Sequence, residues 1–418
     1  MDKKNTILDA AFEIWGKSNF TQMSLTPIAK HLGITKPALY KHFRSKEELL
    51  QGMERRFLAG YVALHQEFFR QGEQKDLNLV VRLFLEKVLG FYLNNPYYLS
   101  YFYVWLLHTR LIEKPELIAV FQEQRKIFKA LLAPLGLAAT DFELDSRLHF
   151  LYISTTFWVS TLFWKNCHPT DTVSWNAPPP KEEIEKALQR WHSYCLTGLL
   201  KGNVDAFTYE TIENKVQLPP VPKREHDRIF QAIVDVSAEV GIRQASVDRI
   251  AEKLGMSKSS LYSHFRNKRS MFEALLREEQ RFLLKVLKDQ MPLLSGFVAQ
   301  SYGFMYLTLM HNLHNPSLLS LFNWFRFQNI RMPVRPPSRS FMEEYFSFFY
   351  QARDRKELVC TEEDLLPAAV LLHVLSFRLL HDSGTQKPDT LTLIKKLRAM
   401  HRLYLHGLCT PIQEEEIV

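Results

Sequence analysis

The sequence predicts an all-α protein made of two similar halves, each with a small three-helix head and a larger helical body. Apolar residues recur at helical spacing, and the body segments lack the strict alternation that is typical of a strand. The breaks between apolar runs fall at prolines, which end helices because proline lacks an N–H and clashes with the preceding turn. One stretch then occurs twice at a constant offset of 222 positions, which divides the chain into halves.

The first head, residues 1–50, is predicted as three short helices. Ser24 is a favoured N-cap residue for the second helix, and Thr35 is one for the third. Gly33 lies between them, where a sharp turn calls for a residue that tolerates positive φ. Pro37 suits the first turn of the third helix. This succession is typical of a helix-turn-helix, whose second helix, here the third helix of the head, lies in the major groove of DNA.

The second head, residues 225–272, repeats this pattern without a gap. Between residues 7–49 and 229–271, 15 of the 43 aligned positions are identical, which is too many for two unrelated segments. Both halves also end on a predicted helix that closes with Gly-Leu, at Gly198 and Gly407. The chain is therefore predicted to be an internal duplication.

Both heads resemble the DNA-binding domain of TetR-type transcriptional regulators. In the first head the resemblance is carried by Ile28, Ala29, Leu32, Gly33, Lys36, Leu39, Tyr40, His42, Phe43, Arg44 and Lys46. All of these residues recur 222 positions later. A family member usually carries one such domain and works as a homodimer. A chain with two copies resembles a dimer fused into one polypeptide.

The resemblance implies that the residues between the turn and the His-Phe pair contact DNA. In the first head these residues are Thr35, Lys36, Pro37, Ala38, Tyr40, Lys41 and His42. In the second head they are Ser257, Lys258, Ser259, Ser260, Tyr262, Ser263 and His264. Helix starts favour phosphate and add further candidates, which are Ser24, Thr26, Lys46, Ser246 and Lys268.

The third helix of each head, called the reading helix below, differs between the two heads. Pro37-Ala38 in the first head corresponds to Ser259-Ser260 in the second, and Lys41 corresponds to Ser263. Because base-edge readout depends on such side chains, we predict an operator with two unlike half-sites about one helical turn apart. The core is predicted to take Leu39, Phe43, Leu261 and Phe265. Competing interpretations are that Tyr40 and His42 only pack the head, or that the motif serves protein contact.

The rest of the chain divides into two bodies and a connector. The predicted segments are a first body at 51–202, a linker at 203–224, a second body at 273–410 and a tail at 411–418. Helices of the first half are predicted at 47–71, 77–94, 97–111, 116–133, 141–166 and 182–201. The linker is polar and carries prolines, so we expect an extended connector.

The resemblance implies a dimerising pair of helices at 141–166 and 182–201. Their partners in the second half would be about 363–382 and 389–408. A four-helix bundle within one chain is the simplest arrangement, and domain-swapped pairing between chains is the alternative.

The first body is rich in aromatic residues, and the resemblance implies an effector pocket there. We expect an apolar or aromatic small molecule, lined by Tyr101, Trp105 and Trp158, with His108 or Arg110 as a polar anchor. The alternative is that these aromatic residues form core, since core aromatics are commoner than pocket ones.

The positive charge is concentrated on the heads. Residues 1–50 hold eight basic and five acidic residues, and residues 223–272 hold ten and six, so the heads carry +3 and +4 of the net +8. This is the distribution of a phosphate-binding surface. The least polar run, 150–164, has fifteen residues without a charge and is shorter than the roughly 20 residues that span a bilayer, so we expect it to form a buried helix. With no signal peptide at the N-terminus, we expect a cytoplasmic protein.

The function expected from these features is sequence-specific DNA binding by a transcriptional regulator, most simply a repressor released by its effector. No nucleophile elbow, glycine-rich phosphate loop or paired-carboxylate motif occurs, so we expect no enzyme activity, no cofactor and no metal. Two rival hypotheses are an architectural DNA-binding protein that ignores small molecules, and a ligand-binding protein with vestigial heads.

Overall fold

The computed structural model describes residues 3–17, 23–72, 76–104, 115–137, 140–165, 179–202, 208–220, 227–240, 245–314, 344–381 and 389–412. Within these ranges the chain forms eighteen α-helices and no β-strand, which confirms the predicted all-α class. No helix in this part of the chain combines the length and the apolar character that crossing a membrane requires.

The first half contributes nine of the described helices. Their bounds are α1 Lys3–Lys17, α2 Leu25–His31, α3 Lys36–Tyr40, α4 Lys46–Gly72, α5 Leu77–Asn94, α6 Pro96–Val104, α7 Pro115–Leu132, α8 Asp141–Lys165 and α9 Lys181–Thr197. Both α6 and α7 begin at a proline, which suits the first turn because its missing N–H would have no partner there. The predicted helix 97–111 corresponds to α6, and residues 105–114 lie outside the described ranges.

The second half contributes the other nine described helices. Their bounds are α10 Tyr209–Lys215, α11 Asp227–Val240, α12 Val247–Leu254, α13 Lys258–His264, α14 Lys268–Gln290, α15 Phe297–His314, α16 Ser347–Asp354, α17 Glu362–His381 and α18 Thr390–His406. Contacts divide the chain into two compact units. The first contains α1–α9 together with residues 402–412, and the second contains α10–α17 with α18 up to His401.

In the first unit, α5 lies at the centre of the body. It packs against α4, α8 and α9. Val80, Phe84 and Val88 are buried at four-residue spacing along one side of α5, as an amphipathic helix requires. Arg82 pairs with Glu185 of α9 at 2.8 Å. The helices predicted to carry the dimer contact, α8 and α9, are thus held to the body that also supports the head.

The uncharged run of residues 150–164 lies in α8, and most of it is buried, as predicted. Some of its hydroxyl groups donate hydrogen bonds to carbonyl groups of the same helix. Ser154 donates to Phe150 at 2.6 Å, and Thr161 donates to Trp158 at 2.7 Å. These bonds satisfy both hydroxyls where water is excluded. The buried hydroxyl of Thr155, in the same run, has no hydrogen-bond partner among the described residues.

The first head is joined to its body through α1 and α6. Phe12 packs against Tyr98 and Tyr101, with ring centroids 4.6 and 5.1 Å apart. A Cβ atom at Gly16 would lie 2.5 Å from the ring of Tyr97, so glycine is needed for this close approach. Such tight packing couples the position of the head to the position of α6.

Two helix ends in the first unit pair through their backbones. The N–H of Leu199 donates to the carbonyl of Tyr404 at 3.2 Å, and the N–H of Leu408 donates in return to the carbonyl of Cys195 at 2.8 Å. Both partners are displaced by 209 positions, so the two bonds are equivalent under the repeat. A second reciprocal pair joins Leu200 to Leu405 at 2.9 Å and Cys409 to Leu196 at 3.2 Å. Reciprocity of this kind is the pattern of a two-fold contact.

Two glycines permit this pairing. Gly198 and Gly407 both have φ +74, and Gly198 has ψ −168, a region that is essentially reserved for glycine. A Cβ atom at Gly198 would lie 2.1 Å from the carbonyl oxygen of Leu405, and one at Gly407 would lie 2.3 Å from the backbone of Leu196. The Gly-Leu endings of the sequence thus mark the point where two backbones meet.

The predicted linker at 203–224 is not extended throughout, because part of it forms α10 on the second unit. The side chain of Ile212 is buried there. Glu213 accepts hydrogen bonds from Nε and Nη2 of Arg398, at 2.9 and 2.8 Å, and from the hydroxyl of Tyr302. The polar composition of this segment reflects a buried ion pair as well as solvent exposure.

We expect Gly198→Ala and Gly407→Ala each to lower the free energy of unfolding by about 3–5 kcal/mol, because the new Cβ meets a backbone atom and the φ angle is strained. Denaturant unfolding measures this change. Gly136→Ala is the matched control, since Gly136 has φ +67 and a Cβ atom there would meet no other atom within 4 Å. That control should cost about 1 kcal/mol. Equal losses at all three positions would contradict the backbone pairing.

Candidate nucleic-acid interface

The turn of each helix-turn-helix is built by a glycine in the left-handed conformation. Gly33 has φ +65, and the N–H of the next residue, Ile34, donates to the carbonyl of Ala29 at 3.0 Å. In the second head Gly255 has the same φ, and its successor makes the equivalent bond at 2.9 Å. Both turns therefore close the preceding helix in the same way and start the reading helix in the same direction.

Both reading helices, α3 and α13, begin at a side-chain cap. The hydroxyl of Thr35 accepts the N–H of Ala38 at 3.3 Å, and the hydroxyl of Ser257 accepts the N–H of Ser260 at 3.1 Å. Serine also caps the preceding helices, as predicted for Ser24. Ser24 accepts the N–H of Thr26 on α2, and Ser246 accepts the N–H of Arg249 on α12. Each capping hydroxyl uses an acceptor lone pair, so its own hydrogen can still be donated to a phosphate.

Each reading helix is fixed by two apolar side chains. Leu39 and Phe43 are buried in the first head, and Leu261 and Phe265 are buried in the second, which confirms their predicted place in the core. The side chains between them point outward. Tyr40 and Tyr262 remain 40% and 41% exposed, which is unusual for so large an aromatic side chain. An exposed tyrosine beside exposed cations suits contact with a phosphate backbone.

The other predicted contact residues fall into two groups. Those that are exposed are Ser24, Thr26, Thr35, Lys36, Pro37, Lys41, Ser257, Lys258, Ser259, Ser263 and His264. Those that are half-buried are Ala38, His42, Lys46, Ser246 and Ser260. Lys268 begins α14, and its side chain lies outside what the structure describes. The structure therefore brings both predicted sets onto the outer side of their heads, and the DNA contacts themselves stay a prediction.

Lys36 and Lys258, the first residues of the two reading helices, are called the leading lysines, and their surroundings differ. Lys258 at the start of α13 pairs with Asp248 of α12 at 2.9 Å. This hydrogen bond raises the pKa of Lys258, which therefore stays charged. Lys36, at the same position of the first head, forms no ion pair with any described residue. Asp248 is not among the predicted contact residues, although the repeat places it at the Thr26 position and could have revealed it.

The predicted effector residues are not brought together by the described part of the chain. Tyr101 is buried at the joint between α1 and α6, against Phe12. Trp158 stacks on Trp191 of α9 at 6.3 Å between ring centroids. The remaining three predicted residues, Trp105, His108 and Arg110, lie outside the described ranges.

A different polar cluster lies inside the first body. Gln124 of α7 lies 2.6 Å from Nδ1 of His65 of α4, and Tyr152 of α8 packs against the His65 ring. Burial lowers the pKa of His65 to about 3, so its ring is neutral at physiological pH. Gln124 Oε1 and the Tyr152 hydroxyl are buried with no hydrogen-bond partner among the described residues. Sequence spacing gives no sign of this cluster, because its members come from three helices.

Comparison with protein families matches both heads. The family described as bacterial regulatory proteins, tetR family, matches residues 7–53 and again residues 229–275. These two ranges contain the turns, the caps and both reading helices.

Two known proteins are similar to this chain over short segments of 53 and 87 residues. The class A tetracycline repressor protein from transposon 1721 of Escherichia coli is 38% identical over 53 residues, which is 13% of this chain and 24% of the repressor. The nucleoid occlusion factor SlmA of Haemophilus influenzae is 30% identical over 87 residues, which is 20% of this chain and 40% of that protein. The matches thus span less than half of each relative.

Neutralising both leading lysines, with Lys36→Gln and Lys258→Gln in one chain, should reduce specific DNA binding to the non-specific level, because both reading helices lose the cation of their first turn. Fluorescence anisotropy with a labelled specific duplex measures the affinity. Lys186→Gln is the control, since this exposed lysine pairs with Glu182 at 2.6 Å on α9 and belongs to neither head. Unchanged affinity in the double variant would show that the reading helices are not part of the DNA interface.

Proposed function

We propose that this chain, a TetR-type regulator with two tandem copies of the family's DNA-binding domain, binds one duplex operator with both of its heads. The observation that carries this proposal is the matching pair of exposed reading helices, each with a buried leucine and phenylalanine on its inner side. Their cations and hydroxyl groups are the groups that contact phosphates and base edges in duplex DNA.

The operator has two unlike half-sites in this proposal. Pro37 on α3 and Lys41 at its C-terminal end correspond to Ser259 and Ser263 on α13, and all four side chains are exposed. A lysine donates to guanine, whereas serine accepts or donates at several bases, so the two helices prefer different base pairs. Because one chain carries both heads, its operator need not be a palindrome.

One chain is sufficient for this binding if its two halves pair as the two subunits of a family dimer do. The reciprocal backbone bonds around Gly198 and Gly407 support such pairing, because equivalent groups of the repeat exchange equivalent bonds. The four-helix bundle expected from α8, α9, α17 and α18 is part of this proposal. Its rival is the same pairing made between two chains.

We further propose that the protein is a cytoplasmic repressor without catalytic activity. A protein that binds a promoter tightly with two heads blocks the access of the transcription machinery to that promoter. Residence beside chromosomal DNA places this activity in the cytoplasm. The tetracycline repressor among the relatives supports repression as the mode of action.

Selection of bound duplexes from a random DNA pool tests the operator directly. We expect a recovered site whose two half-sites differ in sequence and lie about one helical turn apart. A palindromic site would mean that one type of head does the reading in both halves. Recovery of no preferred sequence would contradict sequence-specific binding altogether.

The effector in this proposal binds inside the first body, near His65, Gln124 and Tyr152. A buried polar atom without a hydrogen-bond partner lowers the stability of the fold by about 1–3 kcal/mol. Two such atoms around one histidine, Gln124 Oε1 and the Tyr152 hydroxyl, therefore suggest a bound partner. A small molecule that donates to Gln124 and bonds the Tyr152 hydroxyl is such a partner. Because aromatic rings surround His65, we expect the remainder of the effector to be apolar. The joint between α1 and α6 is the route by which its binding would move the first head.

This assignment predicts opposite effects for two tyrosines. Tyr152→Phe removes a buried hydroxyl without a hydrogen-bond partner among the described residues, so it should raise the free energy of unfolding by about 1 kcal/mol. Tyr302→Phe is the matched control, because the Tyr302 hydroxyl donates to Glu213, and it should lower that energy by about 1–2 kcal/mol. Denaturant unfolding measures both. A loss of stability in Tyr152→Phe would show that its hydroxyl is satisfied without a ligand.

The second candidate function is architectural DNA binding that ignores small molecules. It is favoured by one observation, namely that one relative is named a nucleoid occlusion factor. This candidate predicts that the first body stays filled by its own side chains and that operator affinity is independent of any metabolite. The stability of Tyr152→Phe separates it from the effector-controlled regulator.

A further inference from the structure

The two heads carry different charges at matched positions of the helix before the reading helix. Thr26 and Lys30 on α2 correspond to Asp248 and Glu252 on α12, and all four residues are exposed. Between residues 24 and 46 the first head has five cations and no carboxylate. Between residues 246 and 268 the second head has five cations and two carboxylates. These two carboxylates lie in the segment expected to meet DNA.

One of these carboxylates, Asp248, forms an ion pair with Lys258, the first residue of the reading helix α13. Asp248 Oδ1 lies 2.9 Å from Lys258 Nζ, and both side chains are at least half exposed, at 65% and 50%. Threonine at the matched position of the first head offers no charge to Lys36. Lys36 accordingly forms no ion pair within the described ranges. Among the described residues, this lysine is therefore unpaired in the first head and paired in the second.

A duplex would demand that Lys258 leave this carboxylate. A lysine that contacts a phosphate releases a counterion, and this release supplies most of the binding free energy of such a contact. A lysine already paired with a carboxylate gains less, and the carboxylate that remains repels the phosphates beside it. Glu252, one helical turn further along α12, adds to this repulsion.

We propose that Asp248 makes the second head the weaker of the two DNA readers by holding Lys258, so that the first head dominates operator affinity. This inference rests on the proposed DNA binding. Its consequence is an order of events, in which the first head anchors the chain through Lys36 and the second head adds its half-site afterwards. A chain with two unequal heads also binds an asymmetric operator in one orientation only.

The test exchanges the residues at this position in the full-length chain. Asp248→Thr gives the second head the residue of the first, and Thr26→Asp does the reverse. Each variant is titrated by fluorescence anisotropy into the selected operator and into two duplexes that keep only one half-site each. Glu182→Gln is the control, since it removes one exposed carboxylate from a lysine pair of 2.6 Å on α9.

We expect Asp248→Thr to raise affinity for the second half-site roughly threefold to tenfold and to steepen its salt dependence by about one released ion. Thr26→Asp should lower affinity for the first half-site by a similar factor, and the control should change neither. Lys36→Gln should cost more affinity for the whole operator than Lys258→Gln.

Three results would overturn the inference. Unchanged binding of Asp248→Thr, while Lys258→Gln still weakens the second half-site, would show that the ion pair is irrelevant although DNA binding is real. Weaker binding of Asp248→Thr to duplexes with one particular base pair would make Asp248 a base-reading acceptor instead. Absence of binding by the unaltered chain to any duplex would remove the proposed function itself, and this inference with it.

Discussion

A helix of five or seven residues has no stability of its own in water, so each reading helix depends on what holds it in place. In the first head that support is the burial of Leu39 and Phe43, the Thr35 cap and the left-handed turn at Gly33. All of this support comes from the inner side and the ends of the helix. The side chains on the outer side do not support the helix, so they can differ between the heads without lowering the stability of the fold.

A second constraint acts at the far end of each half, where equivalent backbones exchange equivalent hydrogen bonds at Gly198 and Gly407. A contact of this kind is ordinarily made by two copies of a chain. Here the sequence supplies both copies, and α10 binds part of the connector to the second unit through Glu213 and Arg398. When the two halves pair within one chain, as proposed, the copies need not be identical and each head and each body can differ in its specificity.

Much of the head was predictable because its determinants are local. Serine and threonine caps, the turn glycine and the leucine–phenylalanine spacing all act within a few residues, and the repeat shows them twice. The connector was predicted less well, because α10 depends on an ion pair between residues 185 positions apart. Trp158 illustrates the same limit. Its aromatic character is evident from the sequence, but only the packing of α9 reveals that it stacks on Trp191.

In the proposed mechanism, one chain with two unlike heads binds one operator as the two subunits of a dimer would. The most direct test is the native mass of the complex with the selected duplex, measured by sedimentation equilibrium under saturating and limiting protein. We predict one chain of 49.1 kDa per duplex at every concentration. A complex that contains two chains per duplex, and that dissociates on dilution, would contradict the single-chain account and would assign the pairing to separate molecules.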